Sequence, residues 1–144
     1  MIVLDTNILI SAIIKDSITR KILVESGLDF AYPEISLFEL LKHKKYILGK
    51  SGYSEKEFEN IINKLLGYIC LVSLKIIELK LWEAKEVMKE IDVNDTVFLA
   101  AALALNKAQI WSDDKDFDRQ NKVRIIKTNE MIKIFEKQSK LRGK

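Results

Sequence analysis

Short apolar segments alternate with longer stretches of helical periodicity along almost the whole chain, and several of the short segments run straight into acidic residues. Ile2-Val3-Leu4 is followed at once by Asp5-Thr6-Asn7 and the apolar run Ile8–Ile14. Phe30-Ala31-Tyr32 is a second strand candidate, stopped by Pro33, and Tyr68–Val72, Ala108–Trp111 and Val123–Ile126 supply three more. Helical patterns fill the intervals: Ser17–Ser26 ending at Gly27, then Ile35, Phe38, Leu41 and Leu48 at helical spacing. Ser54-Glu55-Lys56-Glu57 resembles a capping box that opens a helix with Phe58, Ile61, Ile62 and Leu65 on one face. An amphipathic stretch runs from Lys75 to Lys89, Asn94 is placed to cap Thr96–Leu105, and Thr128 to cap a last helix through Phe135. Strands alternating with helices predict an α/β fold, a three-layer α/β/α sandwich around a mostly parallel sheet of four to five strands. In such sheets ligands sit beyond the carboxyl ends of the strands.

The chain of 144 residues suits one domain, 1–136, with a basic C-terminal tail, 137–144, that carries Lys137, Lys140, Arg142 and Lys144 and no acid. With 24 Lys and Arg against 21 Asp and Glu, the net charge of +3 excludes a histone-like binder and an acidic disordered chain. A single cysteine, Cys70, excludes an intramolecular disulfide and a cysteine metal cluster, and a single histidine, His43, excludes the multi-histidine zinc sites. A metal in this chain is therefore held mainly by oxygen, which points to a hard cation such as Mg²⁺ or Mn²⁺. The N-terminus lacks a basic region ahead of an apolar one, and no apolar run approaches the roughly 20 residues that span a bilayer. The expectation is a cytoplasmic protein without a membrane segment.

Four acidic positions stand out. Asp5 directly follows the first strand, Glu39 lies in the apolar helix after the second, Asp95 opens the helix from Thr96, and Asp113-Asp114 follow the fourth strand. Each alone has an ordinary explanation: Asp5 and Asp95 as helix caps, Glu39 as an outward-facing helical acid, Asp113 and Asp114 as turn residues. Together they are different. In a parallel sheet Asp5 and Asp114 emerge at one edge and Asp95 can meet them from a helix N-terminus. Carboxylates gathered there repel unless protonated or neutralised, and a divalent cation neutralises them at neutral pH.

Four motifs resemble, in order over roughly residues 1–128, those of PIN-domain nucleases, the family that contains the VapC toxins. They are Met1-Ile-Val-Leu-Asp-Thr-Asn, Pro33-Glu-Ile-Ser-Leu-Phe-Glu39, Asp92-Val-Asn-Asp95-Thr-Val-Phe-Leu-Ala-Ala-Ala and Ile110-Trp-Ser-Asp-Asp114-Lys-Asp-Phe117. The resemblance implies that Asp5, Glu39, Asp95 and Asp114 form a catalytic, metal-binding acidic quartet, with Asp116 as a further acid. It matches Thr6, Asn7 and Ser112 to small polar positions beside the ligands, and Asp92 to an acid ahead of the third motif. Motif alignment favours Asp114 over Asp113, where the family often carries a neutral Asn.

The activity so implied is divalent-metal-assisted hydrolysis of RNA phosphodiesters, with no covalent nucleophile. Lys42, His43, Lys44 and Lys45 follow Glu39, and Lys42 and His43, at i+3 and i+4, are expected to share its face and to contact backbone phosphates together with Lys45. Tyr46, Tyr53 and Trp82 could stack on bases, but packing is the preferred role for each. The resemblance implies an RNA substrate, a homodimer and a small antitoxin protein as partner. A stand-alone RNA-processing nuclease and a non-catalytic RNA-binding scaffold are the alternatives. An aspartyl-nucleophile phosphatase is disfavoured, because that chemistry wants an acid two residues after Asp5, where Asn7 stands.

Overall fold

The computed structural model describes residues 1–15 and 17–143, so that Lys144 of the expected tail lies outside the described residues. Strands β1 (Ile2–Leu4), β2 (Phe30–Pro33), β3 (Ile69–Val72), β4 (Gln109–Trp111) and β5 (Ile125–Ile126) form one sheet in the order β3-β2-β1-β4-β5, with every pair parallel. Helices α1 (Thr6–Ile14), α2 (Ile18–Glu25), α3 (Leu37–Lys42), α4 (Lys44–Ser51) and α5 (Glu55–Leu66) lie between β1 and β3 in sequence, α6 (Leu74–Met88) and α7 (Thr96–Ala104) between β3 and β4, and α8 (Thr128–Arg142) follows β5.

The chain works outward from β1 to β3 and then crosses back to β4 on the other side of β1. Because parallel crossovers are right-handed, that change of direction puts the two groups of helices on opposite faces of the sheet. On one face α1 touches α2, α3, α4 and α5, and α2 touches α8; on the other α7 lies against β1, β2 and β4, with α6 packed along it. The result is the expected α/β/α sandwich. Strands covered on both faces have no need for alternating polarity. Accordingly Val3, Leu4, Ala31, Tyr32, Ile110 and Trp111 are all inaccessible, and α7, apolar all round, is buried from Phe98 to Leu103.

Local chemistry explains most element boundaries. Asp5 leaves extended backbone to cap α1, Ser17 caps α2, Ser73 caps α6, and the Ser54/Glu57 capping box opens α5 as expected. Gly52, at φ +74°, ends α4 in the left-handed conformation that glycine tolerates. Among the described residues no helix is long and apolar enough to cross a membrane.

Several expectations need correction. Pro33 does not stop β2 but belongs to it, paired in register with Val72; β5 is only two residues long. The apolar residues at helical spacing after β2 largely face solvent: Phe38 is 72% and Leu41 53% exposed, while Leu40 and Ile47, seven residues apart, are the buried pair. The helix from Glu39 also breaks at His43. There the backbone N–H bonds to Leu40 O at 3.1 Å and tightens the turn, while His43 O accepts from Ile47 N at 2.9 Å to start α4. Lys42 thus ends α3, His43 is the junction, and Lys44 and Lys45 begin another helix. Asn94 is not the cap of α7. Asp92 accepts from Asn94 N at 2.9 Å and opens a 3-10 turn, Val93–Asp95, that leads into it. Residues 137–142 are no separate tail but the end of α8, where Arg142 donates to Glu25 O at 3.0 Å and Ser26 O at 3.3 Å at the C-terminus of α2. Tyr46 and Trp82 do not pack in the core; both are exposed. Tyr53 is half-buried and accepts from the Arg20 guanidinium at 2.8 Å.

Candidate metal centre

The change of direction at β1 and β4 places the carboxyl ends of these adjacent strands side by side, with Leu4 paired to Trp111. The next residues, Asp5 and Ser112, are consequently neighbours. Asp5 N donates to Trp111 O at 3.2 Å, and the Ser112 hydroxyl donates to Asp5 Oδ2. The other oxygen, Oδ1, accepts the N–H of Ile8 at 2.9 Å at the start of α1. Asp5 is therefore both a helix cap and an acid facing the site, and each carboxylate oxygen keeps a lone pair free. Burial pushes its carboxyl up from the usual range; Ser112 and Ile8 oppose that shift, and Asp114 and Asp113 add to it.

Ser112 is fully buried and fixes the loop after β4 as well, because its oxygen accepts the N–H of Asp114 at 3.0 Å. Asp114 in turn caps a short 3-10 turn, Lys115–Arg119, by accepting from Asp116 N at 2.9 Å, and Phe117 pins that turn by burying its ring completely. Its neighbour Asp113 turns the other way. Asp113 Oδ1 accepts the N–H of Thr128 at 2.8 Å and Oδ2 its hydroxyl at 2.6 Å, which caps α8.

From the opposite face of the sheet, the turn at the start of α7 brings in Asp92 and Asp95. Carboxylate oxygens of Asp92, Asp95 and Asp116 all lie within 4.8 Å of one another, a spacing that a single cation can span. Asp95 Oδ2 is buried and has no hydrogen-bond partner among the described residues. The Asp95 carboxyl is pushed up to about 7, first by burial and then by the charges of Asp92, Asp114, Asp5 and Asp116. None of these five acids forms an ion pair with Lys or Arg among the described residues. An orphaned, half-buried carboxylate among four others is an arrangement that a divalent cation would complete, so the residues fit a hard metal ion.

The expected quartet is only partly gathered. Asp5, Asp95 and Asp114 converge with Asp116, whereas Glu39 is exposed on α3; its charge is felt by the Tyr32 hydroxyl but does not figure at Asp95. Asp92, which the resemblance matches only to an acid ahead of the third motif, joins the triad. Its offset of three from Asp95 was the signal, since one tight turn brings i and i+3 together. Thr6 is buried, and its hydroxyl donates to Tyr32 Oη at 2.8 Å, which donates onward to Ser36 O at 3.0 Å. Asn7 and Ser11 project from α1 and line both a hollow of about 270 Å³ beside Asp5, Asp113 and Asp114 and a groove of about 460 Å³ that ends at His43 and Tyr46. Lys42 and Lys45 are exposed on either side of that junction.

Comparison with known families agrees with this geometry. The PIN domain matches residues 3–134, which takes in β1 from Val3 onward, all five acids and the first half of α8. No curated protein matches the chain. With an all-parallel sheet in a sandwich, an acidic centre at its carboxyl edge and a match over most of its length, the chain belongs to the PIN-domain family, a family of metal-dependent nucleases.

Proposed function

We propose that this protein is a divalent-metal-dependent endoribonuclease that hydrolyses RNA phosphodiester bonds. The observation that carries the reading is the unpartnered, buried Oδ2 of Asp95, surrounded by Asp92, Asp116, Asp5 and Asp114 at the switch point of the sheet. Asp95, Asp116 and Asp92 would hold Mg²⁺ or Mn²⁺, with Asp5 and Asp114 completing the set and Glu39 on the rim. Such an ion acidifies water and stabilises charge that develops on a phosphoryl group.

The chain's own residues do the rest. Ser112 holds Asp5 and the Asp114 loop at fixed separation, and the Thr6–Tyr32–Ser36 chain of hydrogen bonds ties the start of α1 to the segment that carries Glu39. The groove along α1 offers Asn7 and Ser11 as neutral polar contacts, His43 at its far end, and the exposed ring of Tyr46 with Lys50 Nζ 5.9 Å from its centroid. That combination suits a single strand whose base stacks on the tyrosine while Lys42, Lys45 and Lys50 contact phosphates.

Action as the toxin of a toxin–antitoxin pair is supported by the exposed apolar side chains of Ile35, just ahead of α3, and of Phe38 and Leu41 on it, which suit capping by a small antitoxin.

The decisive measurement is cleavage of single-stranded RNA by the purified protein with Mg²⁺ or Mn²⁺, with EDTA, and with the Asp5→Asn variant. Cleavage that vanishes in EDTA, returns with Mn²⁺ and is lost in the variant is expected. Full activity in Asp5→Asn, or cleavage without metal, would overturn the assignment. For the toxin role, expression in a host should arrest growth, and the Asp5→Asn variant should not.

A further inference from the structure

The end of α6 and the turn after β4 enclose a hollow of about 300 Å³ that the nuclease reading has left unused. Its volume falls at the lower end of the range of small-ligand sites, roughly 300–1,000 Å³. Val87 and Ile91 form an apolar side, and Arg119, Asn121 and Lys122 a polar one. Ile91 immediately precedes Asp92, and Asp118, also in the lining, lies two residues beyond Asp116. The hollow therefore adjoins two acids of the Asp92–Asp95–Asp116 triad. The groove along α1 approaches the same centre from the opposite face of the sheet.

The free charge of the hollow is positive. Its acid, Asp118, is engaged by Lys127 at 2.9 Å, whereas Arg119 and Lys122 have no acidic partner among the described residues. The Arg119 guanidinium donates to Glu90 O at 3.4 Å, which leaves its other N–H groups for fork-like contact with phosphate oxygens. Two cations close to five carboxylates, yet paired with none of them, are placed to balance the charge of a ligand. The lining is also held in shape in advance. Gln120 Nε2 donates to Phe117 O at 2.9 Å and to Val123 O at 3.1 Å, while its Oε1 accepts from Lys122 N at 2.9 Å and Val123 N at 3.1 Å. These four bonds close the turn, and the buried side chains of Phe117 and Val123 anchor its ends. Arg119, Asn121 and Lys122 thus stand on a preorganised backbone, which reduces the ordering cost of binding.

We propose that this hollow is a nucleotide subsite, in which Arg119 and Lys122 bind the phosphate of a nucleotide that flanks the cut while its sugar or base packs on Val87 and Ile91. Asn121 supplies an amide for the polar edge of the base. Apolar and cationic groups side by side suit a nucleotide better than a bare anion, which would leave Val87 and Ile91 without a role. The inference rests on the nuclease reading and adds to it the path of the strand. The RNA runs from the groove along α1, over the carboxyl ends of β1 and β4, and into the hollow beside α6.

The test compares the full chain with its Arg119→Ala/Lys122→Ala variant, in both cleavage and binding of single-stranded RNA, binding being measured on an Asp5→Asn background that does not cleave. The double change should raise Kd and KM about tenfold, leave kcat within about twofold, and reduce the slope of log Kd against log salt by about two. Mn²⁺ affinity and the urea midpoint should stay close to those of the parent. Lys133→Ala/Lys137→Ala removes the same charge from exposed positions on α8 and should change Kd by less than about twofold. Shortening the RNA on the 5′ or the 3′ side of the cut identifies the flank that enters the hollow, because loss of that flank should abolish the difference between variant and wild type. A variant that binds no more weakly than the α8 control, a loss confined to kcat, or a difference that survives both truncations would overturn the subsite while cleavage by the wild type leaves the nuclease reading standing. A wild type that neither binds nor cleaves RNA would overturn both.

Discussion

Asp113 grips Thr128 with both carboxylate oxygens, at 2.8 Å to its backbone N–H and 2.6 Å to its hydroxyl, while the Thr128 hydroxyl accepts from Trp111 Nε1 at 2.9 Å. This grip separates two adjacent aspartates into different roles. Asp113 caps α8, and Asp114 turns toward Asp5 and Asp95.

The division of labour predicts opposite phenotypes. Asp113→Ala should lower stability by about 1–2 kcal/mol through loss of the cap, with Mn²⁺ affinity close to that of wild type. Asp114→Asn should leave the denaturation midpoint almost unchanged and reduce Mn²⁺ affinity and RNA cleavage by about tenfold or more. Urea titration and calorimetric Mn²⁺ binding on both variants check this; equal losses of metal affinity would contradict it.

Titration of Asp95 makes the metal-free protein sensitive to pH. Its carboxyl is raised to about 7 in the folded chain and returns to the ordinary value near 4 on unfolding. The stability it contributes is fully present below pH of about 4 and is lost as pH rises through about 7. Asp5, also raised, acts with the same sign. Allowing for solvent screening at this half-buried site, the loss amounts to about 1–2 kcal/mol. The urea midpoint in EDTA should therefore fall between pH 4.5 and 7, fall less in Asp95→Asn, and recover on adding Mn²⁺, most strongly at the upper end. A midpoint that rises over this interval would refute the assignment.

Removing the Ser112 hydroxyl leaves both Asp5 Oδ2 and the Asp114 N–H without their partner in a buried place. Ser112→Ala should cost about 1–3 kcal/mol. It should also lower the cleavage rate more than it changes RNA affinity, because the strand ends that carry the acids lose their tie. Comparison of kcat with KM and a urea titration test both parts.

At Tyr32→Phe the change is smaller in volume but severs the link from Thr6 to Ser36 O. The loss of two buried hydrogen bonds should destabilise the protein by about 1–3 kcal/mol. Thr6→Val at the other end of the link should couple with it: in a double-mutant cycle the pair should cost less than the sum of the single changes. Strict additivity in thermal or urea denaturation would show that the link is not a unit.

How far the sequence alone reached depends on the range of the interaction involved. Short apolar segments running into Asp5 and into Asp113-Asp114 were enough for a parallel α/β sandwich with acids at one edge of the sheet, because strand and helix periodicity and capping are local properties. The same local logic placed the Ser54/Glu57 capping box and the helix from Thr96. What it did not reach depends on neighbours distant in sequence. Leu40 and Ile47, rather than Phe38 and Leu41, face the core, since the direction of a helix face is set by what packs against it. Asp113 and Asp114 are chemically equivalent until Thr128, fourteen or fifteen residues on, claims one of them. Asp92 joined Asp95 and Asp116 only once the 3-10 turn ahead of α7 met the turn after β4. Glu39 is exposed because its neighbour Leu40 is the residue of α3 that the core buries. The residue types and their order made a metal-binding edge legible; the strand order β3-β2-β1-β4-β5 decided which acids reach it, because only folding sets the distances on which carboxylate repulsion and metal binding depend.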